Sequence, residues 1–188
     1  MTGELQRVPF DESTIHVPLF QALLAARKRY GGGTPALVDI DERVVSYDML
    51  VRAALALGHA LKAGTKAGES VGIMLPTGAG AAIAYFAVSA YGRVPTMINF
   101  TAGPQGVASA LTTAQVSRLV TARRFIAKAG LEELIAAMAG REILYLEDVR
   151  DALSLGDKLA AVTGGLAPGL VVSRPNPARP AAILFTSG

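Results

Sequence analysis

Ala181-Ala182-Ile183-Leu184-Phe185-Thr186-Ser187-Gly188 are the last eight residues of the sequence. Ala181 to Phe185 is a short apolar run entered from a proline-rich loop, which predicts a buried strand. Thr186-Ser187-Gly188 then sets two hydroxyls and a glycine at the strand's carboxyl end. Such residues let backbone N–H groups and side-chain donors close around phosphate oxygens. As a bare tripeptide, Thr-Ser-Gly reads first as an ordinary strand-to-turn exit. The rest of the chain has to decide whether it is more than that.

Working outward, the preceding segment alternates strands and helices. Ser70 to Leu75 is predicted as a buried strand, and Pro76-Thr77-Gly78-Ala79-Gly80 turns it into an alanine-rich helix ending near Tyr91. Val94 to Ile98 is the next strand, and Pro104 opens a helix through about Thr113, at a first-turn position that tolerates proline. Arg118 to Thr121 is a strand, Phe125 to Ala139 one or two helices broken near Gly130, and Glu142 to Leu146 another strand. Glu147 to Leu166 reads as helix with a break near Gly156, and Ser173 to Pro180 as a loop, because its prolines exclude helix and central strand.

Residues 1–16 read as an amino-terminal arm. Val17 to Tyr30 is an amphipathic helix whose Arg27, Lys28 and Arg29 complement the dipole at its carboxyl end, and Gly31-Gly32-Gly33 terminates it. Ala36 to Ile40 and Arg43 to Ser46 form a hairpin around Asp41-Glu42. Ser46 caps a helix whose Tyr47, Leu50, Val51, Ala54, Leu57 and Leu61 make one apolar stripe, with Arg52, His59 and Lys62 off it. The rhythm of strands and helices predicts an α/β layered sandwich with a mostly parallel sheet flanked by helices.

Composition narrows the function. The 188 residues are 51% hydrophobic, which suits a globular domain with a proper core. There is no cysteine, and the two histidines, His16 and His59, have no ligand spacing, so no disulfide framework or structural metal is expected. A net charge of +3 does not point to nucleic acid. Met1 to Arg7 lacks a basic segment followed by an apolar stretch, and the longest apolar run, Ala79 to Tyr91, is shorter than the ~20 residues that span a bilayer. The expectation is a cytoplasmic protein without a transmembrane segment, with the inner face of the membrane left open for a longer parent.

Gly78-Ala79-Gly80 between strand and helix has the look of a dinucleotide fingerprint, but Ile83 stands where the third glycine belongs and no acid follows about 20 residues on. A tight turn with close helix–strand packing is the plainer account. No Asp or Glu occurs from Ser70 through Leu131, a block that still holds Arg93, Arg118, Arg123, Arg124 and Lys128. Buried elements that simply lack charge explain this first; an electropositive face for an acidic partner is the sharper reading. No carboxylate dyad, Ser/His/Asp arrangement or metal cluster is visible, so no catalytic residue is named within these residues.

Several stretches, in order, resemble one superfamily, the AMP-forming adenylate-forming ligases that include acyl-CoA synthetases and luciferases. Ile183-Leu184-Phe185-Thr186-Ser187-Gly188 is similar to the opening of their phosphate loop, Ser46-Tyr47-Asp48-Met49-Leu50 to an early Ser/Thr-Tyr-x-x-Leu helix start, and Val71-Gly72-Ile73-Met74-Leu75-Pro76 to a V-x-I-x-L-P strand. Tyr91-Gly92 to Asn99 stands where G-A-V-x-x-P-L-N is usual, but Met97 replaces the expected proline and Pro95 falls earlier. Pro95-Thr96-Met97-Ile98-Asn99-Phe100-Thr101-Ala102-Gly103 resembles instead the P-x-x-x-N-Y-T-A-G of the acyl-[acyl-carrier-protein] synthetases, often fused to a 2-acylglycerophosphoethanolamine acyltransferase. Leu144-Tyr145-Leu146-Glu147-Asp148-Val149 and Asp157-Lys158-Leu159 are similar to the same branch.

The resemblance implies that residues 17–188 are the amino-terminal portion of an AMP-binding ligase domain, cut inside its phosphate loop, and inactive alone. It implies ATP and Mg2+, a fatty-acid substrate, and acyl carrier protein or CoA as acceptor. Thr186, Ser187 and Gly188 would contact the phosphates, and Arg123, Arg124 and Lys128 are the candidates for docking an acidic carrier protein. A second reading, from a different class, is a non-catalytic binding or assembly module ending naturally at Gly188. The codons past Gly188 separate the two.

Overall fold

A computed structural model describes residues 17–39, 41–138, 140–152 and 179–185. Helix α1 (Leu19–Tyr30) leads into a hairpin of β1 (Pro35–Val38) and β2 (Val44–Ser46), and then helix α2 (Tyr47–Lys62). Then come β3 (Ser70–Ile73), α3 (Ala79–Ala90), β4 (Val94–Met97), a 3₁₀ turn (Phe100–Ala102) and α4 (Gly103–Thr113). β5 (Arg118–Thr121), the short helices α5 (Arg123–Ala129) and α6 (Glu132–Ala136), β6 (Glu142–Tyr145) and α7 (Leu146–Ala152) follow.

Strands β3 to β6 form one parallel sheet in the order β4-β3-β5-β6, with Gly72 opposite Thr96 on one side and Leu119 on the other. Parallel neighbours need crossover helices, and these cover both faces. Ile73 and Val120 face a core shared with α1, α2 and α3, through Phe20, Leu50, Val51, Leu57, Leu61 and Val88. Their neighbours Met74 and Leu119 point the other way, into a core with Val107 and Leu111 of α4, Ile126 of α5 and Leu134 of α6. The strands read as continuous apolar runs because each alternating face is buried. The layered parallel sandwich expected from the sequence is the fold observed.

Helix α2 starts as predicted: the Ser46 hydroxyl accepts from the Met49 N–H at 3.3 Å. It packs on α3 at a close approach. Gly58 has no side chain where a Cβ would lie 2.5 Å from the Tyr91 ring and 2.7 Å from the Ala87 carbonyl oxygen. Tyr91 is 3% exposed, and its hydroxyl donates to Leu55 O at 3.3 Å. The hairpin is tied in through Asp39, whose carboxylate accepts from the Ala79 N–H at 3.2 Å and so caps α3 from forty residues upstream.

The terminal run differs from its expectation. Only Ile183 pairs, as a single parallel bridge to Thr96 on the outer edge of β4, and Leu184 is 72% exposed. The run is an edge segment, half-covered rather than buried: Phe185 packs against the α4–α5 core, while no described element covers its other side. The helix expected from Glu147 begins one residue earlier and is described only to Ala152; its remainder, the loop through Ala178, the arm at 1–16 and Thr186-Ser187-Gly188 lie outside the described residues.

Candidate functional site

In open parallel α/β sheets the crevice beyond the strands' carboxyl ends is where ligands bind, because loops there carry helix amino termini. Here that edge holds the end of β4, the 3₁₀ turn, α4 and the end of the 183–185 segment. Between them lies a cavity of about 420 Å³ lined by Asn99, Thr101, Gly106, Ser109, Thr113 and Phe185, together with Ala102 and Ala110. Asn99 is built into the turn: its Oδ1 accepts from the Thr101 N–H at 3.0 Å and from the Thr101 hydroxyl at 2.8 Å. Small side chains at helical spacing on α4 keep the space open. Phe185, beside this cavity, is the residue from which Thr186, Ser187 and Gly188 continue.

The sequence had marked Asn99 to Gly103 only as a family resemblance, and the cavity was missed. Its signal was present as small residues three and four apart, at 102, 106, 109, 110 and 113. That spacing is also what a packed helix shows, so it could not be told apart without the neighbouring strand.

A second cluster lies at the same end of the sheet, between β5 and β6. Glu147 accepts from the backbone N–H of Arg123 at 3.0 Å and of Arg124 at 3.1 Å, satisfying the first donors of α5. Burial by itself would raise the Glu147 carboxyl, but these amide hydrogen bonds outweigh it, and the group sits below the usual carboxylate range. Arg123 pairs with Asp148 at 2.6 Å, and its guanidinium lies 3.9 Å from the centre of the Tyr145 ring. The hydrogen bond to Asp148 raises its pKa further above the ordinary arginine value. Arg124 and Lys128 are exposed on α5, four residues apart.

The other cations of the acid-free block do not share that face. Arg93 is 8% exposed at the opposite, amino end of the sheet, donating to Thr65 Oγ1 at 2.9 Å and to Tyr91 O at 2.5 Å. Desolvation lowers its pKa, partly offset by Glu69. Arg118 is 7% exposed, paired with Glu142 and donating to Leu61 O at 3.4 Å. Arg118 meets a carbonyl at the end of α2, where cations are favoured, and Arg93 bridges Thr65, just past α2, to Tyr91 at the carboxyl cap of α3. These two are interior cations met by local acceptors, and no part of an exposed electropositive face. His59 is exposed on α2, off the apolar stripe, as expected. Among the described residues no group of three or more His, Cys, Asp or Glu side chains gathers, and no helix is long and apolar enough to cross a membrane.

The family model for AMP-binding enzymes matches residues 24–188. The chain belongs to the AMP-binding enzyme family. Solved structures share its fold: VinN in complex with 3-methylaspartate superposes with a TM-score of 0.71 at 17% identity, over 90% of this chain and 44% of that one. The anthranilate CoA ligase AuaEII in complex with anthranoyl-AMP matches at a TM-score of 0.61 and 20% identity, over 76% of this chain and 29% of that one. The nonribosomal peptide synthetase FmoA3 in its AMPPNP-bound form matches at a TM-score of 0.61 and 25% identity, over 73% of this chain and 14% of that one. The chain therefore spans less than half the length of each of these proteins, and its fold is that of the amino-terminal part of adenylate-forming enzymes.

Proposed function

We propose that this chain is the amino-terminal part of an ATP-dependent, AMP-forming acid–thiol ligase, and that its acid is a fatty acid. The reaction would run in two steps. A carboxylate oxygen attacks the α-phosphorus of ATP, a P–O bond to pyrophosphate breaks, and an acyl adenylate forms. A phosphopantetheine thiol, on acyl carrier protein or CoA, then takes the acyl group and AMP leaves. The demand on the protein is to hold polyphosphate and offset the charge that develops on it.

One observation carries the reading: the family match runs through Ile183 to Gly188, and the segment that leads to these residues is docked parallel on the outer edge of β4. Thr186, Ser187 and Gly188 are proposed as phosphate contacts. Mg2+ is proposed with the nucleotide; with no carboxylate cluster among the described residues, the triphosphate and residues other than these would hold it. The fatty acid and the acyl-carrier acceptor rest on the resemblance of Pro95 to Gly103, and Arg124 and Lys128 are proposed to meet the carrier. The isolated residues 1–188 are proposed to be inactive.

Acid-dependent ATP–pyrophosphate exchange by the complete gene product tests this. A panel of fatty acids of different length, set beside amino acids and anthranilate, should give exchange with the fatty acids foremost. Exchange with none of the acids refutes a ligase; exchange with amino or aryl acids alone refutes the fatty-acid assignment.

A further inference from the structure

Exposed apolar side chains are not scattered over this surface. Of the seven large ones exposed among the described residues, six lie between positions 17 and 49: Val17, Leu19, Tyr30, Val38, Val44 and Met49. Single exposed apolar residues are ordinary, but a group at one corner asks for a partner. Contacts between the end of α1 and the start of α2 hold that corner together. Arg27 pairs with Asp48 at 2.6 Å, the Tyr30 ring stacks on Tyr47 with centroids 6.3 Å apart, and the Asp48 N–H donates to Gly32 O at 2.8 Å.

Helix α1 carries two apolar stripes. Phe20, Leu23 and Leu24 face the core. Leu19, Ala22, Ala26 and Tyr30 repeat three or four residues apart beside them, and Leu19, Ala22 and Tyr30 of these are exposed. Next to the second stripe stand Lys28 and Arg29, both exposed, and neither pairs with a carboxylate among the described residues. The Arg29 guanidinium lies over the Tyr30 ring, 5.3 Å from its centre. No Asp or Glu occurs from Val17 to Val38. The helix dipole accounts for cations at this end of α1, but not for the apolar stripe beside them.

We propose that the outer face of α1, from Leu19 to Tyr30, docks on a lipid surface carrying anionic headgroups. Lys28 and Arg29 meet the headgroups, while Leu19 and Tyr30 sink between them, the Tyr30 hydroxyl staying at the water. The outer face of a helix is convex and offers a shaped partner no socket; a fluid bilayer needs none. Asp48 does not oppose the contact, because Arg27 and Arg52 neutralise it. The hairpin turn does oppose it: Asp41 and Glu42 are exposed there beside the single cation Arg43, so Val38 and Val44 stay outside the docked face. This docking is independent of the ligase reading; with that reading, it brings the enzyme to the phase in which long-chain acids dissolve.

Sedimentation of the complete gene product with vesicles tests it. The wild type should bind vesicles of phosphatidylcholine mixed with phosphatidylglycerol, bind phosphatidylcholine alone far more weakly, and be released by salt. Lys28→Gln with Arg29→Gln should weaken binding about 30-fold, at about five-fold per cation. Tyr30→Ser, which leaves the charge unchanged, should weaken it about five-fold. Lys62→Gln with Lys66→Gln removes the same charge from the far end of α2, about 24 Å away along the helix. That pair should leave binding within about two-fold, being more than a Debye length from the docked face. No preference for the anionic vesicles in the wild type overturns the proposal, and this needs no variant to fold. So does equal weakening by the two charge-removing pairs, which would mean attraction by net charge alone. A dimer in sedimentation that Tyr30→Ser dissociates, without vesicle binding, gives the stripe to a second copy and overturns it too. Vesicle binding and acid-dependent exchange are separate readouts, so failure of the ligase reading is told apart from failure of the docking.

Discussion

Replacing Gly58 by alanine sets two effects of known sign against each other. Alanine inside a helix is worth about 1 kcal/mol more than glycine, so propensity alone predicts a more stable protein. The structure predicts the reverse. The new Cβ would lie 2.7 Å from the Ala87 carbonyl oxygen, which is helix backbone and cannot swing aside. It would also lie 2.5 Å from the Tyr91 ring, which is buried and anchored through its hydroxyl to Leu55 O. Forcing an extra carbon into a close-packed contact costs about 1–3 kcal/mol, and displacing the Tyr91 hydroxyl from its acceptor adds about 1 kcal/mol. With the propensity gain subtracted, Gly58→Ala should lose about 1–3 kcal/mol. For a chain of this size the thermal midpoint should fall by about 2–12 °C. Urea and thermal unfolding of the purified variant measure this, with His59→Ala as an exposed neighbour expected to stay within about 0.5 kcal/mol. A midpoint equal to or above wild type would refute the close α2–α3 packing from which the cost was worked out.

Two further outcomes follow from the cluster between β5 and β6. Glu147→Gln leaves one accepting oxygen where two serve the Arg123 and Arg124 amides and removes the charge, so stability at pH 7 should drop by about 0.5–1 kcal/mol, the scale of an amino-terminal cap trimmed by solvent screening. Because the folded Glu147 pKa is depressed, its contribution is present above the unfolded value of about 4.3 and is lost as pH falls through the folded value. Unfolding curves of wild type and variant should therefore converge in acid, and a constant gap down to pH 3 would contradict the assignment. Arg124→Glu with Lys128→Glu in the complete enzyme should raise the KM for an acidic carrier protein about ten-fold and flatten its salt dependence, leaving kcat unchanged; an unaltered KM sinks the docking role. Arg123 is left out of that pair because Asp148 and Tyr145 already engage its guanidinium.

Much of the fold was legible from the chain because its signals are local. The Ser46 cap, the apolar stripe of α2, the strand-like runs at 71–73 and 118–121, and the break at Gly130 are each written within a few residues. What a local pattern cannot carry is which partner an element meets. Whether Arg93 and Arg118 belonged to a buried block or to an electropositive face was left open until the sheet placed Arg93 against Thr65 and Tyr91 and Arg118 against the end of α2, and Asp39 gave no hint that it caps a helix forty residues on. Ala181 to Phe185 was legible as extended, but hydropathy alone does not distinguish a central strand from an edge.

By itself, then, the sequence determined the alternation of strands and helices, the two-sided burial of the sheet and the family, since all three depend on side-chain type and short spacing. Tertiary structure alone decided the strand order β4-β3-β5-β6, the cavity beside Phe185, and the pairing of Met97 with Ile183 across eighty-six residues of chain. Those depend on backbone donors and acceptors whose partners are chosen only when distant segments meet.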